Sequence, residues 1–299
     1  GTFDRNGLRT FSYWKLKDRL HTETFEETSD HVRYLVTDAI RRQLVSDVPL
    51  GTFLSGGLDS SIISAVAASH FRSLGHQLDT FSVTYTDNQK YFKTSKFQPT
   101  TDEPYIQMMA EFLGSNHHTF VVDNEQLALA LKAAVDARDL PGMADVGSSL
   151  LLFCEEIKKH VTVALSGECA DEIFGGYPWY RDEKIRSAYG FPWAQTTAMR
   201  QKFLTPHLRK LIDGEAEVSA RYEQALAETD KSEGLSPKES RLREMVHLNM
   251  YWFMQTLLTR KDRMSMYHGL EVRVPFCDHR IAEYMYSVPW GMKEYKGME

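Results

Sequence analysis

The sequence is poor in cysteine, and its few cysteines form no recognisable pattern. Only three occur in 299 residues, at Cys154, Cys169 and Cys277, and none of them belongs to a CxxC pair. An odd number of widely spaced cysteines argues against a disulfide framework and against a zinc site. We therefore expect free thiols in a reducing compartment and a cytoplasmic location.

Long apolar runs and an excess of positive charge are also lacking. The longest apolar stretches, such as residues 150–154, are far too short to span a bilayer, and the first residues carry charge instead of an apolar signal core. Asp and Glu number 41 against 35 Lys and Arg, which gives a formal net charge of −6. Such a chain has no global positive field to hold a nucleic-acid backbone. We expect neither a membrane nor a nucleic-acid partner.

The chain does contain an alternation of short strands and amphipathic helices. Hydrophobic residues make up 42% of it, enough to bury one large core or two smaller ones. Apolar residues recur at helical spacing from Thr28, and buried strand-like runs then alternate with further helical segments. The predicted strands are 48–54, 80–85, 119–122 and 161–165. This pattern predicts an α/β fold with a parallel sheet covered by helices on both faces.

The second half of the chain has a different pattern. No strand is predicted beyond residue 180, and apolar residues keep a helical period between 242 and 257. We therefore expect one domain at 28–299, with an α/β core at 28–180 and a mainly helical part at 181–299. Residues 1–27 read as a linker region. The polar stretch 84–101 is a mobile lid or an ordinary insertion, and the sequence leaves both open.

The strongest local signal is the first loop, residues 54–61, which reads LSGGLDSS and follows the first predicted strand of the core. In a parallel sheet this is the carboxyl edge, where ligands bind. Gly56 and Gly57 allow a tight turn close to an anion, and the serine hydroxyls and the helix amino end can donate to phosphate. Asp59 would repel phosphate unless Mg²⁺ lay between them. A serine- and glycine-rich turn with a capping aspartate is an equally common structural explanation.

The second loop, residues 165–177, reads LSGECADEIFGGY and also follows a predicted strand. Its three carboxylates, Glu168, Asp171 and Glu172, lie within five positions, which is costly without a cation or a shared proton. Asp171 is therefore a second candidate magnesium ligand. Acidic residues at a helix start are favourable by themselves, because they face the positive end of the helix dipole. Two such loops at equivalent edges of one sheet favour the magnesium interpretation.

These motifs resemble those of a known family. SGGLDSS is similar to the pyrophosphatase-type loop of the ATP pyrophosphatase superfamily, whose fold is adenine nucleotide alpha hydrolase-like. LSGECADEIFGGY resembles the second signature of class B, glutamine-hydrolysing asparagine synthetases and of their β-lactam synthetase relatives. Further similar segments are YWKL at 13–16, DVPLG at 47–51, and MSM with GLEVRVPF between 264 and 276. The resemblance spans nearly the whole chain, in the order of the family's synthetase domain.

The resemblance implies a set of ligands and site residues. The ligands are ATP and Mg²⁺, with Asp59 and Asp171 holding the metal and Glu168 supporting formation of an acyl-adenylate. The side-chain carboxylate of aspartate would attack the α-phosphate, pyrophosphate would leave, and ammonia from glutamine would give asparagine and AMP. Adenine contacts are implied at Phe53 and Val83. The implied nucleotide-binding residues are Phe53, Ser55, Gly56, Gly57, Asp59, Ser60, Ser61, Val83, Ser166 and Gly167.

The chain departs from the family pattern at several points. Cys169 stands where the family often has glycine, and we expect a buried thiol there, not a nucleophile. The resemblance places a glutaminase module before residue 1, joined through residues 1–20, and a lysine segment beyond Glu299. Residues 139–145 fall where relatives shape the acceptor pocket and match the pattern less closely. A homodimer is an open option for the assembly.

Two other functions remain open from the sequence. One is a relative, such as a β-lactam synthetase, that adenylates a different acid, and the other is an ATP-binding domain without turnover. The basic residues Arg260, Lys261 and Arg263 have two interpretations as well. They could attract phosphate, but a charged helix face is the commoner explanation.

Overall fold

The computed structural model describes residues 1–94, 100–140, 142 and 144–294. The strands are β1 (Thr2–Asp4), β2 (Gly7–Arg9), β3 (Leu50–Phe53), β4 (Asp79–Tyr85), β5 (Asn116–Val122), β6 (Val163–Leu165) and β7 (Glu271–Arg273). The helices are α1 (Phe25–Gln43), α2 (Leu58–Ser73), α3 (Asn88–Tyr91), α4 (Glu103–Leu113), α5 (Asn124–Arg138), α6 (Ala144–Lys158), α7 (Ala170–Phe174), α8 (Glu183–Ser187), α9 (Thr197–Gln201), α10 (Pro206–Leu211), α11 (Gly214–Ala227), α12 (Pro237–Leu248), α13 (Met254–Met266), α14 (His279–Ser287) and α15 (Trp290–Lys293). A π-helical segment, Asn249–Phe253, joins α12 to α13.

Five strands form one parallel sheet in the order β5-β4-β3-β6-β7. Strands β3 and β6 are direct neighbours, with Leu50 opposite Val163 and Thr52 opposite Leu165. The chain leaves both strands at the same edge, so the first and second loops emerge side by side. This adjacency, which depends on strand order, positions the candidate site.

The predicted parallel sheet flanked by helices is confirmed, and β3 to β6 correspond to the four predicted strands. The expectation that no strand follows residue 180 is wrong, because β7 completes the sheet beside β6. Three residues are too short to show an alternating pattern. Pairing with the edge of β6 makes Glu271–Arg273 extended, and that partner lies more than 100 positions earlier in the chain.

The core lies on both faces of the sheet. Side chains alternate along β6, so Val163 and Leu165 join one apolar cluster and Ala164 joins the other. The larger cluster includes residues from α1, α2, α12 and α14, and the smaller one includes residues from α5 and α6. Among the residues described, no helix is both long and apolar enough to cross a membrane.

Two segments singled out from the sequence are described only in part. The stretch 84–101 contains the short helix α3, and its residues 95–99 lie outside the described residues. In the stretch 139–145, residues 141 and 143 lie outside them as well. Within the first 27 residues, 2–9 form the hairpin β1-β2, Leu16 is buried in the larger cluster, and α1 begins at Phe25.

Candidate functional site

The two loops are in direct contact at the edge of the sheet. A Cβ atom added to Gly167 would lie 3.1 Å from the Cβ of Asp59 and 3.3 Å from the backbone nitrogen of Ser60. Any side chain at position 167 would therefore push the loops apart. Glycine in the second loop allows it to approach the start of α2 closely.

The first loop is held by its own hydrogen bonds. The backbone N–H of Ser55 donates to the Ser60 hydroxyl at 3.1 Å, and that hydroxyl donates to the Gly57 carbonyl at 3.2 Å. Gly56 has a φ of +80°, which glycine adopts without strain. Gly57 occupies the N-cap of α2 and offers no side-chain cap, so backbone donors at this helix end are left for a ligand.

Most of the predicted site residues line one cavity. It has a volume of about 400 Å³ and lies between the two loops and α13. The predicted residues that line it are Phe53, Ser55, Asp59, Ser60, Ser166, Gly167, Glu168 and Asp171. A wider cavity of about 1090 Å³ adjoins it through Ser55, Asp59 and Asp171, and Gly57 lines that one.

Three predicted residues line neither of these two cavities. Gly56 lies inside the first loop, packed against Tyr105, and Ser61 lies in the first turn of α2. Val83 packs against the apolar cluster that contains Phe53, but it lines a separate cavity of about 470 Å³. The structure therefore brings the two loops together as predicted and leaves Val83 to one side.

One side of the cavity is acidic. Burial, followed by the charge of Asp171, raises the pKa of Asp59 to about 7, and burial raises the pKa of Asp171 as well. Burial also raises the pKa of Glu172 to about 7, against a hydrogen bond that the Tyr177 hydroxyl donates to it. A cation bound among these carboxyl groups would favour their ionised forms.

The opposite side contains protein cations. The Lys261 ammonium lies 2.8 Å from Oε1 of Glu168, and Arg260 lies 4.0 Å from the same oxygen. The Ser166 hydroxyl donates to the other oxygen, Oε2. Although burial opposes ionisation, the charge and hydrogen bond of Lys261 lead the effects that lower the pKa of Glu168 below its usual value.

Sequence reasoning did not place Lys261 and Arg260 in the site. Their side chains are only 7% and 15% exposed, and both line the cavity. Arg263 fits the charged helix face favoured from the sequence, because it is 49% exposed and pairs with Asp139 at 3.3 Å. Helical spacing alone does not say which neighbouring basic residue on α13 points inward. The packing of α13 beside the second loop decides it.

Cys169 is a buried thiol, as expected. Its φ of +78° lies in the left-handed region, which favours glycine. Contact with the Cys277 thiol, and then burial, raises the pKa of Cys169 above its usual range. A thiol that stays protonated is a poor nucleophile. All three cysteines are free.

Comparison with known proteins identifies relatives along the whole chain. A family model described as asparagine synthase matches residues 31–299. The chain is 50% identical over 299 residues to asparagine synthetase (glutamine-hydrolyzing) 3 from Bacillus subtilis (strain 168), covering all of this chain and 48% of that protein. It is 31% identical to asparagine synthetase (glutamine-hydrolyzing) 1 from the same organism, covering 89% of this chain and 44% of that protein. The chain thus spans about half the length of these relatives.

Similarity to solved structures is weaker. The NAD+ synthetase from Burkholderia pseudomallei is 14% identical, with a TM-score of 0.28 over 88% of this chain and 87% of that one.

Proposed function

Since the chain belongs to the asparagine synthase family, we propose that it carries the synthetase site of an ATP-dependent amide-forming ligase. The side-chain carboxylate of aspartate attacks the α-phosphate of ATP, which releases pyrophosphate and leaves an acyl-adenylate. Ammonia then displaces AMP and gives asparagine. In the longer protein the ammonia comes from glutamine, through a glutaminase module outside this chain.

The observation that carries the proposal is the meeting of Asp59 and Asp171 at the junction of the two loops. Each carboxylate lies on a different loop, yet the charge of Asp171 contributes to the raised pKa of Asp59. Among the described residues, no group of three or more His, Cys, Asp and Glu side chains is arranged to hold a metal. Two carboxylates suit Mg²⁺, which usually takes one or two from the protein and the rest of its ligands from phosphate and water.

The surrounding groups have roles that follow from their positions. The hydroxyl of Ser55 and the amino end of α2 face the cavities as phosphate donors. The Ser60 hydroxyl, which donates to the Gly57 carbonyl, holds the loop that presents them. Mg²⁺ held by Asp59 and Asp171 would neutralise charge that develops on the leaving pyrophosphate. Binding both substrates in one cavity also removes the entropy cost of their encounter.

Glu168 lies apart from the metal carboxylates, against Ser166 and Lys261. As a fixed anion it supports formation of the acyl-adenylate, because it orients the groups that bind beside it before the carboxylate attacks. Phe53 lines the same end of the cavity and offers an apolar surface to the adenine.

Calorimetric titration of the chain with ATP, with and without Mg²⁺, tests the nucleotide site. We expect magnesium-dependent binding that weakens strongly in both Asp59→Ala and Asp171→Ala. A Lys132→Met variant, altered at an exposed lysine on α5, serves as the control. Equal binding in both aspartate variants would contradict the two-loop site.

The acceptor is tested by exchange of labelled pyrophosphate into ATP, which reports adenylation without needing ammonia. We expect exchange to depend on aspartate, while glutamate and malonate support much less. In the longer protein, addition of ammonium or glutamine should then yield asparagine and AMP. Exchange supported by another carboxylate in place of aspartate would assign a different acceptor.

A further inference from the structure

Lys261 forms a buried ion pair with Glu168. The roles proposed above for the carboxylates do not include this lysine. We infer that Lys261 is a positioning residue, which holds Glu168 as a fixed anion at the Ser166 side of the cavity. The inference rests on the proposed function, because it assigns Glu168 a part in the same reaction.

Both oxygens of Glu168 already have protein partners. Oε1 lies 2.8 Å from the Lys261 ammonium, and Oε2 accepts a hydrogen bond from the Ser166 hydroxyl. These two contacts fix the plane of the carboxylate. With side chains 7% and 16% exposed, the pair is too buried for solvent to supply the missing charge if one partner were removed.

The ammonium of Lys261 is itself held from two sides. It lies 4.3 Å from the centre of the Phe53 ring, where a cation is attracted to the aromatic face, and it contacts Glu168 on the other side. A lysine held in this way has little freedom to move onto a phosphate. Its position next to Phe53 also links the carboxylate to the proposed adenine end of the cavity.

Arg260 differs from Lys261 in its donor capacity. The buried Arg260 Nε has no hydrogen-bond partner among the described residues, and its Nη2 is 4.0 Å from Glu168. Arg260 lines the cavity and has a donor that is not committed to Glu168, which suits a ligand anion, whereas the Lys261 ammonium is directed at Glu168. The two neighbouring cations therefore have different tasks, and Lys261 has the positioning one.

Other titratable groups face Glu168 from the surrounding elements. Lys261 and Arg260 approach it from α13, Cys154 from α6, and Cys169 and Glu172 from the second loop and α7. The two cysteines are neutral thiols, and the pKa of each is raised. Of these groups, only Lys261 and Arg260 favour the ionised form of Glu168, and Lys261 is the closer.

The test compares Lys261→Met with Lys261→Arg by the pH profile of aspartate-dependent pyrophosphate exchange. Without the ammonium, burial should raise the pKa of Glu168, so the acid limb of the profile moves toward neutral pH. Below the new midpoint the rate should fall about tenfold for each pH unit. We expect the KM for ATP to change less than about threefold, and Lys261→Arg to restore most of the acid limb.

Lys132→Met is the matched control for the loss of a lysine–carboxylate pair. Lys132 lies 2.6 Å from Asp136 on α5, but its side chain is 85% exposed. Because an exposed ion pair contributes little, the Lys132→Met variant should leave the exchange rate and its pH profile unchanged. A raised KM for ATP in Lys261→Met with an unmoved acid limb would instead make Lys261 a nucleotide ligand. No change in either quantity would also overturn the inference.

A stability cycle separates failure of this inference from failure of the proposed function. Urea unfolding at pH 7.5 is compared for the wild type, Lys261→Met, Glu168→Gln and the double variant. Lys261→Met should lower the midpoint by leaving a buried unpaired carboxylate, and adding Glu168→Gln should recover most of the loss. Additive effects would mean that Lys261 does not hold the anion, whatever reaction the site catalyses. If Lys261→Met does not fold, Lys261→Gln takes its place in both experiments.

Discussion

The two sides of the cavity between the loops impose opposite pKa shifts on the carboxyl groups that line it. Beside Lys261 and Ser166 the pKa of Glu168 is lowered, whereas across the cavity the pKa of Asp59 and of Glu172 is raised to about 7. Burial acts against ionisation on both sides. The difference is that the Lys261 ammonium directly contacts Glu168, whereas no cation is among the groups that shift the pKa of Asp59 or Glu172. Arg33 and Lys293 line the wider cavity with Asp59 and Asp171.

Environments that separate the pKa values of neighbouring carboxyl groups commonly mark different roles in one site. On the Glu168 side, the compensating positive charge is a protein side chain, Lys261. The Asp59 and Asp171 side is suited to a cation that arrives with the nucleotide. The following variants test this division, from the largest expected effect to the smallest.

Neutralising the acidic side should have the largest effect. Asp59→Asn and Asp171→Asn should each reduce pyrophosphate exchange by about 100-fold or more, because the metal that neutralises the leaving group loses a ligand. The same variants should raise the melting temperature of the free protein at pH 8, since they remove a buried like charge. Exchange assays and thermal denaturation measure the two changes. Loss of both activity and stability would indicate unfolding, not loss of a ligand.

Separating the two loops should have a smaller effect. In Gly167→Ala the new Cβ meets the Cβ of Asp59 at 3.1 Å, so the loops must shift by a few tenths of an ångström. We expect a loss of exchange activity of about 10-fold to 100-fold, because misplacement of reacting groups is costly. Gly291→Ala is the matched control, since nothing lies within 4 Å of a Cβ there. Equal activity in both variants would show that close contact of the loops is not needed.

Stability should depend on pH with opposite signs on the two sides. Asp59 has a pKa of about 7 when folded and about 3.8 when unfolded. Its contribution to the free energy of unfolding is therefore fully present below pH 3.8 and is lost as the pH rises through 7. Between pH 5 and 8 the difference in melting temperature between wild type and Asp59→Asn should therefore grow in favour of the variant. Saturating Mg²⁺ with ATP should reverse the trend for the wild type. A difference independent of pH would contradict the raised pKa.

Glu168 provides the contrasting case. The pKa of Glu168 in the folded protein is below the ordinary 4.5. Its contribution to the free energy of unfolding is therefore present above pH 4.5 and is lost only as the pH falls through the folded pKa. Glu168→Gln should therefore lower stability by a constant amount between pH 6 and 8. Calorimetric melting curves at three pH values measure this. A loss that varied strongly across that range would assign the titration to another group.

The smallest effect is expected at Cys169, which lies between the two sides. Cys169→Gly relieves a left-handed φ of +78°, whereas Cys169→Ala keeps the strain and also removes the thiol. We expect the glycine variant to be more stable than the alanine variant by roughly 0.5–1 kcal/mol. Urea unfolding measures the difference. A clearly more stable alanine variant would show that packing outweighs backbone strain at this position.

Some parts of this site could be predicted from the sequence because they are local. Two short strands, each followed by a glycine-containing loop with an acidic residue, identify a ligand-binding edge without tertiary knowledge. Asp59 and Asp171 were found in this way, and they line one cavity. Ser166 and Val83 came from the resemblance alone; Ser166 lines the same cavity, and Val83 lines a separate one.

Other parts depended on contacts between distant segments. Strand β7 is three residues long and exists through its pairing with β6. Lys261 had the same sequence signature as the exposed Arg263, two positions away on one helix. A helix turns about 200° in two residues, so neighbours with the same charge can face a core or solvent.

The amino-acid sequence by itself determined the class of fold, the two ligand loops and the pair of aspartates, because period, glycine placement and charge spacing act over a few residues. Only the tertiary structure decided that β3 and β6 are neighbours, that Gly167 lets their loops touch, and that Lys261 reaches Glu168. These features arise from strand order and helix packing, which join residues about 100 positions apart. The pKa of each carboxylate depends on such partners, so the division between the two sides of the cavity could not be predicted from the sequence.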